Sequence, residues 1–181
     1  MNVKCPVRYF ARMSPANRDA ARIIVTGGTF DKRYDAIKGE LTFTETHLPA
    51  LLEQARVRLP LAVETRILID SLQMTEAHRQ EVLDACRASP EGAIVVVHGT
   101  DTMVQTARVV GGARLDKTIV FTGAMVPYSV QGSDAPFNLG FALAAAQSLP
   151  SGVYVAMNAK IFAWDDVEKD RTEGTFKRTR A

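Results

Sequence analysis

The stretch "AIVVVHGTDTM", residues 93–103, indicates the fold class of the whole chain. Its apolar run is rich in β-branched residues and has no polar member, which is typical of a strand buried on both faces of a parallel sheet. A helical pattern with Met103, Ala107 and Val110 on one face follows and ends at the glycine pair 111–112. Between strand and helix, Thr100, Asp101 and Thr102 supply more polar groups than a turn requires.

Four more apolar runs alternate with helical patterns on either side of this stretch. The strands are "RIIVTGG" (22–28), "TRILID" (65–70), "TIVFTG" (118–123) and "GVYVAM" (152–157). One helix is predicted to begin near His47, a second to be capped by Thr75, and a third to begin at Ser133 or Asp134. This alternation predicts an α/β fold, with a doubly wound, mostly parallel sheet and helices on both faces.

The composition bounds the organisation of the chain. With 181 residues and 46% hydrophobic content, it suits one globular domain, and no linker composition divides it. We predict one domain over residues 22–181, preceded by a basic, flexible extension at 1–21. A second basic cluster, Lys177, Arg178 and Arg180, is expected to form a second solvated or frayed tail. Because the body between the tails is acidic, a nucleic-acid partner is not expected.

The sequence also gives an expectation for the cellular compartment of the protein. No window approaches 18 consecutive apolar residues, so no membrane span is expected. Residues 1–22 lack the apolar core of a secretory signal; their arginines are compatible with a transit peptide, and a true start at Met13 fits as well. Cys5 and Cys86 lie far apart and form no C-x-x-C pair, which is typical of a reducing compartment. We therefore expect a cytoplasmic protein.

Polar side chains recur where the predicted strands end. The carboxyl ends of the first four strands read "TGGTF", "DSLQM", "HGTDTM" and "TGAM". Open parallel sheets bind ligands beyond these ends, so this edge is the expected site. Each residue also has an ordinary alternative. Thr29, Thr100 and Asp101 would be caps, Ser71 a turn residue, Tyr34 loop packing, and Lys169, in "DDVEKDR", part of a solvated charged face.

Several other chemistries lack their sequence patterns. The three histidines, His47, His78 and His98, show neither H-E-x-x-H nor a zinc-ligand spacing, so no metal site is expected. The nucleophile elbow G-x-S-x-G, the dinucleotide fingerprint and the P-loop are also missing from the sequence. We interpret His98 as a structural imidazole rather than a base.

Taken in order, these motifs resemble the bacterial-type L-asparaginase family. "TGGT" and "HGTDTM" are similar to its two signatures, and "DSLQM", "TGAMVPYSVQGSDAPFNL" and "DDVEKDRTEGTFKR" resemble three further segments. The resemblance covers residues 22–178. It implies a flavodoxin-like or Rossmann-like α/β domain, as in the asparaginase N-terminal domain. It also implies a cofactor-free amidohydrolase that converts L-asparagine to L-aspartate and ammonia.

The resemblance assigns roles to single residues. Thr29 would be the nucleophile that forms an acyl-enzyme, activated by Tyr34 on a mobile lid. Gly28 and Thr100 would be among the residues that bind the substrate. Ser71 and Gln73 would hold the substrate's α-carboxylate, and Asp101 its α-ammonium. Thr100 would act with Lys169 and Asp101 to position or activate the attacking group. A lysine serves as a base only when its amine is buried, and Lys169 has four acidic neighbours, Asp165, Asp166, Glu168 and Asp170.

The chain also departs from the family pattern. It stops shortly after "TFKR", whereas the family has a further C-terminal domain, so we expect a short single-domain form with weaker substrate binding. Two alternatives stay open: an amino-acid-binding domain without turnover, and a nucleotide-binding domain that uses "TGGT". The apolar content favours a homo-oligomer, a dimer or a tetramer.

Overall fold

A computed structural model describes residues 19–180 of the chain. Its elements, in chain order, are β1 (Ala21–Gly27), β2 (Arg33–Asp35), β3 (Glu40–Thr42), α1 (Leu48–Gln54), β4 (Leu61–Ile69), α2 (Glu76–Ala88), β5 (Ala93–Val97), α3 (Met103–Gly112), β6 (Thr118–Thr122), α4 (Ala135–Ser148), β7 (Gly152–Met157), β8 (Lys160–Ala163), β9 (Glu168–Asp170) and β10 (Thr175–Lys177). Most of the expected basic extension, residues 1–18, lies outside the described part.

The central element is a six-stranded sheet with the order β4-β1-β5-β6-β7-β8. Its first five strands are parallel, and only β8 runs antiparallel, against β7. Alternate residues of β1 enter two apolar clusters: Ile24 packs with residues of α2 and α3, while Ile23 and Val25 pack with residues of α1 and α4. Helices therefore cover both faces, and the predicted doubly wound α/β fold is confirmed.

The predicted helix starts also agree with the structure. Thr75 caps α2 through a capping box with His78, and Pro136 lies in the first turn of α4. At the other end of α2, Lys117 Nζ donates to the carbonyls of Cys86, Arg87 and Ser89, which have no partner within the helix. At α3 the capping residue is Thr102 rather than Thr100 or Asp101, so those two side chains are available for another role.

The sequence did not predict three antiparallel additions. Two are hairpins, β2–β3 and β9–β10, whose strands have only three residues each. The third is β8, which follows a tight turn at Asn158 and Ala159, both with positive φ. Such turns are usually recognised by a glycine, and here Ala159 takes its place. Within residues 19–180, no helix is long and apolar enough to cross a membrane.

Candidate active site

Three chain segments are in close contact at the carboxyl end of the sheet, where two glycines leave no space for a side chain of their own. A Cβ on Gly28 would lie 2.2 Å from Gly99 Cα, and a Cβ on Gly99 would lie 2.6 Å from Ser71 Oγ. Gly28 also has a φ of 82°, a conformation that favours glycine. The ends of β1, β4 and β5 are therefore in direct contact, and Thr29 and Thr100 each follow one of the two touching glycines.

The loop that carries Thr29 is fixed by its neighbours. Thr29 begins a short 3-10 helix that ends at Asp31, and it is half-buried; its side chain caps nothing. Asp31 is fully buried and accepts hydrogen bonds from the Thr46 hydroxyl and the His47 N–H, both at 3.0 Å. Burial raises the pKa of Asp31, although these two hydrogen bonds oppose that effect. The carboxylate thus joins the two ends of the segment that contains the β2–β3 hairpin.

Thr100, Asp101 and Lys169 form one hydrogen-bonded group. Lys169 Nζ donates to Thr100 Oγ1 and to Asp101 Oδ1, each at 2.7 Å. The Lys169 side chain is only 10% exposed, whereas that of Asp101 is 37% exposed. The nearly buried amine of Lys169 thus contacts the Asp101 carboxylate, which is still partly exposed to solvent.

The acidic neighbours of Lys169 are paired with other groups. Asp166 accepts from Arg178, Thr179 and the Arg180 N–H, and Asp170 accepts from Lys177 and two backbone N–H groups. The Arg180 N–H and the Arg178 guanidinium lower the pKa of Asp166; the Glu173 N–H and Lys177 lower that of Asp170. Residues 177–180 are exposed as expected of a solvated tail, but these contacts show that they are not frayed.

Ser71 is buried beside Gly99, and its hydroxyl has no hydrogen-bond partner among residues 19–180. Its carbonyl accepts from the Thr102 hydroxyl at 2.7 Å, which ties the β4 and β5 ends together. The preceding Asp70 forms an ion pair with Lys32; burial acts to raise the pKa of Asp70, but the hydrogen bonds from Lys32 and the Leu72 N–H lower it. Gln73 ends the same 3-10 turn and is exposed.

His98 has a structural environment. It is fully buried, with Nδ1 2.7 Å from the Gly99 carbonyl and Nε2 2.8 Å from the Thr106 hydroxyl. Because a carbonyl only accepts, Nδ1 carries the proton and Nε2 accepts from Thr106. Burial lowers the pKa of His98 to about 4. The neutral ring thereby orients the peptide that precedes Thr100.

Tyr34, in the β2–β3 hairpin, is the most exposed of the predicted catalytic aromatic and hydroxyl side chains. It lies on β2 opposite Leu41, and its side chain is 62% exposed. Ile37, at the tip of this hairpin, is 98% exposed. No hydrogen bond between described residues involves the hydroxyl of Tyr34 or that of Thr29.

The sequence profile of the family described as "Asparaginase, N-terminal" matches residues 21–178. The chain belongs to this family. The predicted family resemblance is thereby confirmed.

Individual relatives agree with the family assignment. The chain is 32% identical over 160 residues to a glutaminase-asparaginase of Acinetobacter glutaminasificans, covering 81% of this chain and 48% of that protein. Among solved structures, the thermostable L-asparaginase from Thermococcus kodakarensis superposes with a TM-score of 0.78 at 27% identity, covering 90% of this chain and 52% of that one. L-asparaginase I from Vibrio cholerae gives 0.76 at 26% identity, covering 88% and 51%. The chain spans about half the length of the relatives it matches.

The structure adds site-supporting residues that the sequence did not indicate. Asp134 was expected only as a helix cap; its carboxylate accepts from the N–H groups of Met125 and Val126 and from Asn138 Nδ2, and so organises the loop after β6. Ser129 of that loop donates to the Lys32 carbonyl. The segment "SDAPFNL" offered a signal for Asp134 and Asn138, but nothing local marked Asp31 or Lys32. No cluster of metal-ligating side chains occurs within residues 19–180.

Proposed function

We propose that this member of the asparaginase family is an amidohydrolase that converts L-asparagine to L-aspartate and ammonia, with Thr29 as the nucleophile. The observation that carries the proposal is the Thr100–Lys169–Asp101 group, with both Lys169 hydrogen bonds at 2.7 Å. Thr100 directly follows Gly99, which touches Gly28, and Gly28 directly precedes Thr29. A buried amine, a carboxylate and two hydroxyls at one strand edge are the groups that this chemistry needs.

Substrate binding uses two opposite contacts. The unpartnered Ser71 hydroxyl donates to the substrate's α-carboxylate. The Asp101 oxygen that does not hold Lys169 accepts from the α-ammonium. Because both charges of an amino-acid amide are attached to one carbon, these two contacts fix its orientation and direct the side-chain amide towards Thr29.

Acyl transfer then proceeds in two halves. The Thr29 oxygen attacks the amide carbon, its proton passes to the leaving nitrogen, and the C–N bond breaks to release ammonia. Backbone N–H groups of the glycine turn stabilise the oxyanion. Water then attacks the aspartyl ester, and the proton it loses returns to Thr29. Lys169 and Thr100 position the attacking group, and Tyr34 assists once the β2–β3 hairpin closes over the site.

The test is ammonia release by the purified full chain, with asparagine and glutamine measured side by side. Thr29→Ala should abolish release, and Thr29→Ser should retain part of it because a hydroxyl remains. Thr65→Ala, at an exposed position of the edge strand β4, is the matched control and should behave like the unmodified protein. Unchanged activity in Thr29→Ala would exclude Thr29 as the nucleophile.

A second function is favoured by the position of Tyr34. Its 62% exposure supports a domain that binds asparagine or aspartate without turnover. Calorimetry that detects binding of asparagine, together with no ammonia from the same sample, would select this alternative.

We also propose that the chain is a homo-oligomer, a dimer or a tetramer. α4 contains no charged residue, and its outer face exposes Phe137, stacked on Phe141 with ring centroids 6.1 Å apart. An uncharged aromatic helix face supports burial against a second copy. Light scattering at micromolar concentration should give a mass above that of one chain, and Phe137→Glu should reduce it. A monomer throughout would refute this proposal.

A further inference from the structure

The register of β9 and β10 sorts the side chains around Lys169 onto two faces. Phe176 is directly opposite Lys169, and Lys177 is directly opposite Glu168. Because successive side chains of a strand point to opposite faces, Glu168 and Asp170 lie on the face away from Lys169. Lys169 therefore shares its face with Phe176, and the acidic neighbours share theirs with Lys177.

The face that Lys169 occupies is apolar. Phe176 is 4% exposed and belongs to the apolar cluster that also contains Val167 and Phe162. Directly opposite residues of an antiparallel pair have Cβ atoms about 5 Å apart, which places the ring beside the aliphatic stem of Lys169. The amine can then leave this face only towards Thr100 and Asp101, where it makes its two hydrogen bonds.

The opposite face is charged and exposed. Lys177 Nζ lies 3.0 Å from Asp170 and 3.5 Å from Glu168, and Arg178 lies 2.9 Å from Asp166. These contacts keep the nearby carboxylates from drawing Lys169 outwards. The hairpin thus separates one lysine from the acids that surround it in the sequence.

We propose that Phe176 is a positioning residue for Lys169: its ring excludes water from the lysine stem and directs the amine onto Thr100. The effect on turnover rests on the proposed function, but the placement of Lys169 does not. Loss of the ring allows the Lys169 side chain to reach solvent. The consequence for the reaction is a lower kcat with a smaller change in KM, because Phe176 acts through Lys169 and does not contact substrate.

The experiment compares Phe176→Leu with Phe162→Leu in the full chain. Both phenylalanines are 4% exposed and belong to the same cluster, so the two variants lose equal side-chain volume from one core. Limiting acetic anhydride, followed by peptide mass spectrometry, measures the acetylation rate of Lys169 against that of exposed Lys160 in the same sample. Melting temperatures of both variants show how much each loses in stability.

The proposal expects Phe176→Leu to raise Lys169 acetylation several-fold and to lower kcat by up to about 100-fold, the scale of effect that misplacement of a catalytic group produces. Phe162→Leu should leave both quantities as in the unmodified chain. Equal acetylation and equal kcat in the two variants would overturn the proposal. If the unmodified chain releases no ammonia, the proposed function fails, whereas the acetylation rates still decide whether Phe176 positions Lys169.

Discussion

Lys169 Nζ lies 2.7 Å from Thr100 Oγ1, although 69 positions separate the two residues in the chain. The contact joins the end of the central strand β5 to a short hairpin that is outside the main sheet. Thr100 is almost fully buried, so its hydroxyl has the amine as a fixed neighbour. The hydrogen bond between Lys169 and Thr100 therefore depends on the β9–β10 hairpin, near the end of the described residues.

Lys169→Met removes this amine while keeping an unbranched side chain of similar length. We expect ammonia release from asparagine to fall by about 100-fold or more, the usual contribution of a positioned proton-transfer group. Asparagine binding, measured by calorimetry, should persist because Ser71 and Asp101 remain. The control is Lys160→Met, at an exposed position of β8. Retained turnover in Lys169→Met would remove the lysine from the mechanism.

Ser71→Ala separates a binding role from a structural one. The Ser71 hydroxyl is buried without a partner in the described residues, so its removal should leave the free energy of unfolding unchanged or raise it by up to about 1 kcal/mol. KM for asparagine should rise roughly tenfold or more, since a hydrogen bond to a charged carboxylate is lost. Thr26→Val is the comparison. It removes a buried hydroxyl bonded to the Val97 carbonyl at 3.0 Å, and should cost about 1 kcal/mol without changing KM.

Gly28→Ala should disrupt the site and the fold together. The new Cβ would lie 2.2 Å from Gly99 Cα, at a φ that disfavours alanine, so we expect a loss of about 2 kcal/mol or more in urea unfolding. Gly140→Ala, on α4, meets no atom within 4 Å and should raise stability by about 0.5–1 kcal/mol. Equal stabilities of these two variants would contradict the close backbone contact.

His98 should make stability depend on pH in a defined interval. Its pKa is about 4 in the folded chain and 6.5 as the ordinary value. The unfolded chain therefore binds more protons between these values, and stability present above pH 6.5 is lost as the pH falls towards about 4. The loss from this residue is about 3 kcal/mol.

Glu91 and Asp31 change the stability of the chain differently from His98 as the pH falls. The pKa of Glu91 is lowered from 4.5 to about 2, so its contribution is lost only below pH 4.5; the raised pKa of Asp31 makes stability increase as the pH falls. Urea unfolding of His98→Gln between pH 6.5 and 4.5 should therefore show a flatter profile than the unmodified chain. Identical slopes would show that His98 does not stay neutral.

Much of the fold was predictable because buried strands are contiguous and apolar. The run at 93–97 matches β5 at both ends, and Thr75 was recognised as a helix cap. The hairpins were not predictable, because three-residue strands with exposed side chains lack the periodicity that marks a strand. β4 begins at Leu61, four positions before its predicted start, since it is an edge strand with mixed polarity.

The candidate site was predictable only in part. Strand-end logic alone indicates Ser71, Thr100 and Asp101, because parallel strands end at one edge. Lys169 lies in an acidic run that is typical of a solvated face, and only the family resemblance singled it out. Its burial results from a β-hairpin and from ion pairs that link residues 7 to 15 positions apart, which no local pattern encodes. Asp31 was not recognised because its partners, at 46 and 47, are across a hairpin that the sequence did not predict.

The strand order β4-β1-β5-β6-β7-β8 divides the sheet into two halves that are also the two halves of the sequence. Every proposed site residue comes from the first half except Lys169, so the Thr100 and Asp101 contacts with its amine cross the seam. A gene divided between α3 and β6, within codons 113–117, encodes two fragments, neither of which contains the whole site. Ammonia release on mixing the two fragments would thus report their reassociation. The same position, between residues 113 and 117, is a suitable crossover point for chimaeras between relatives.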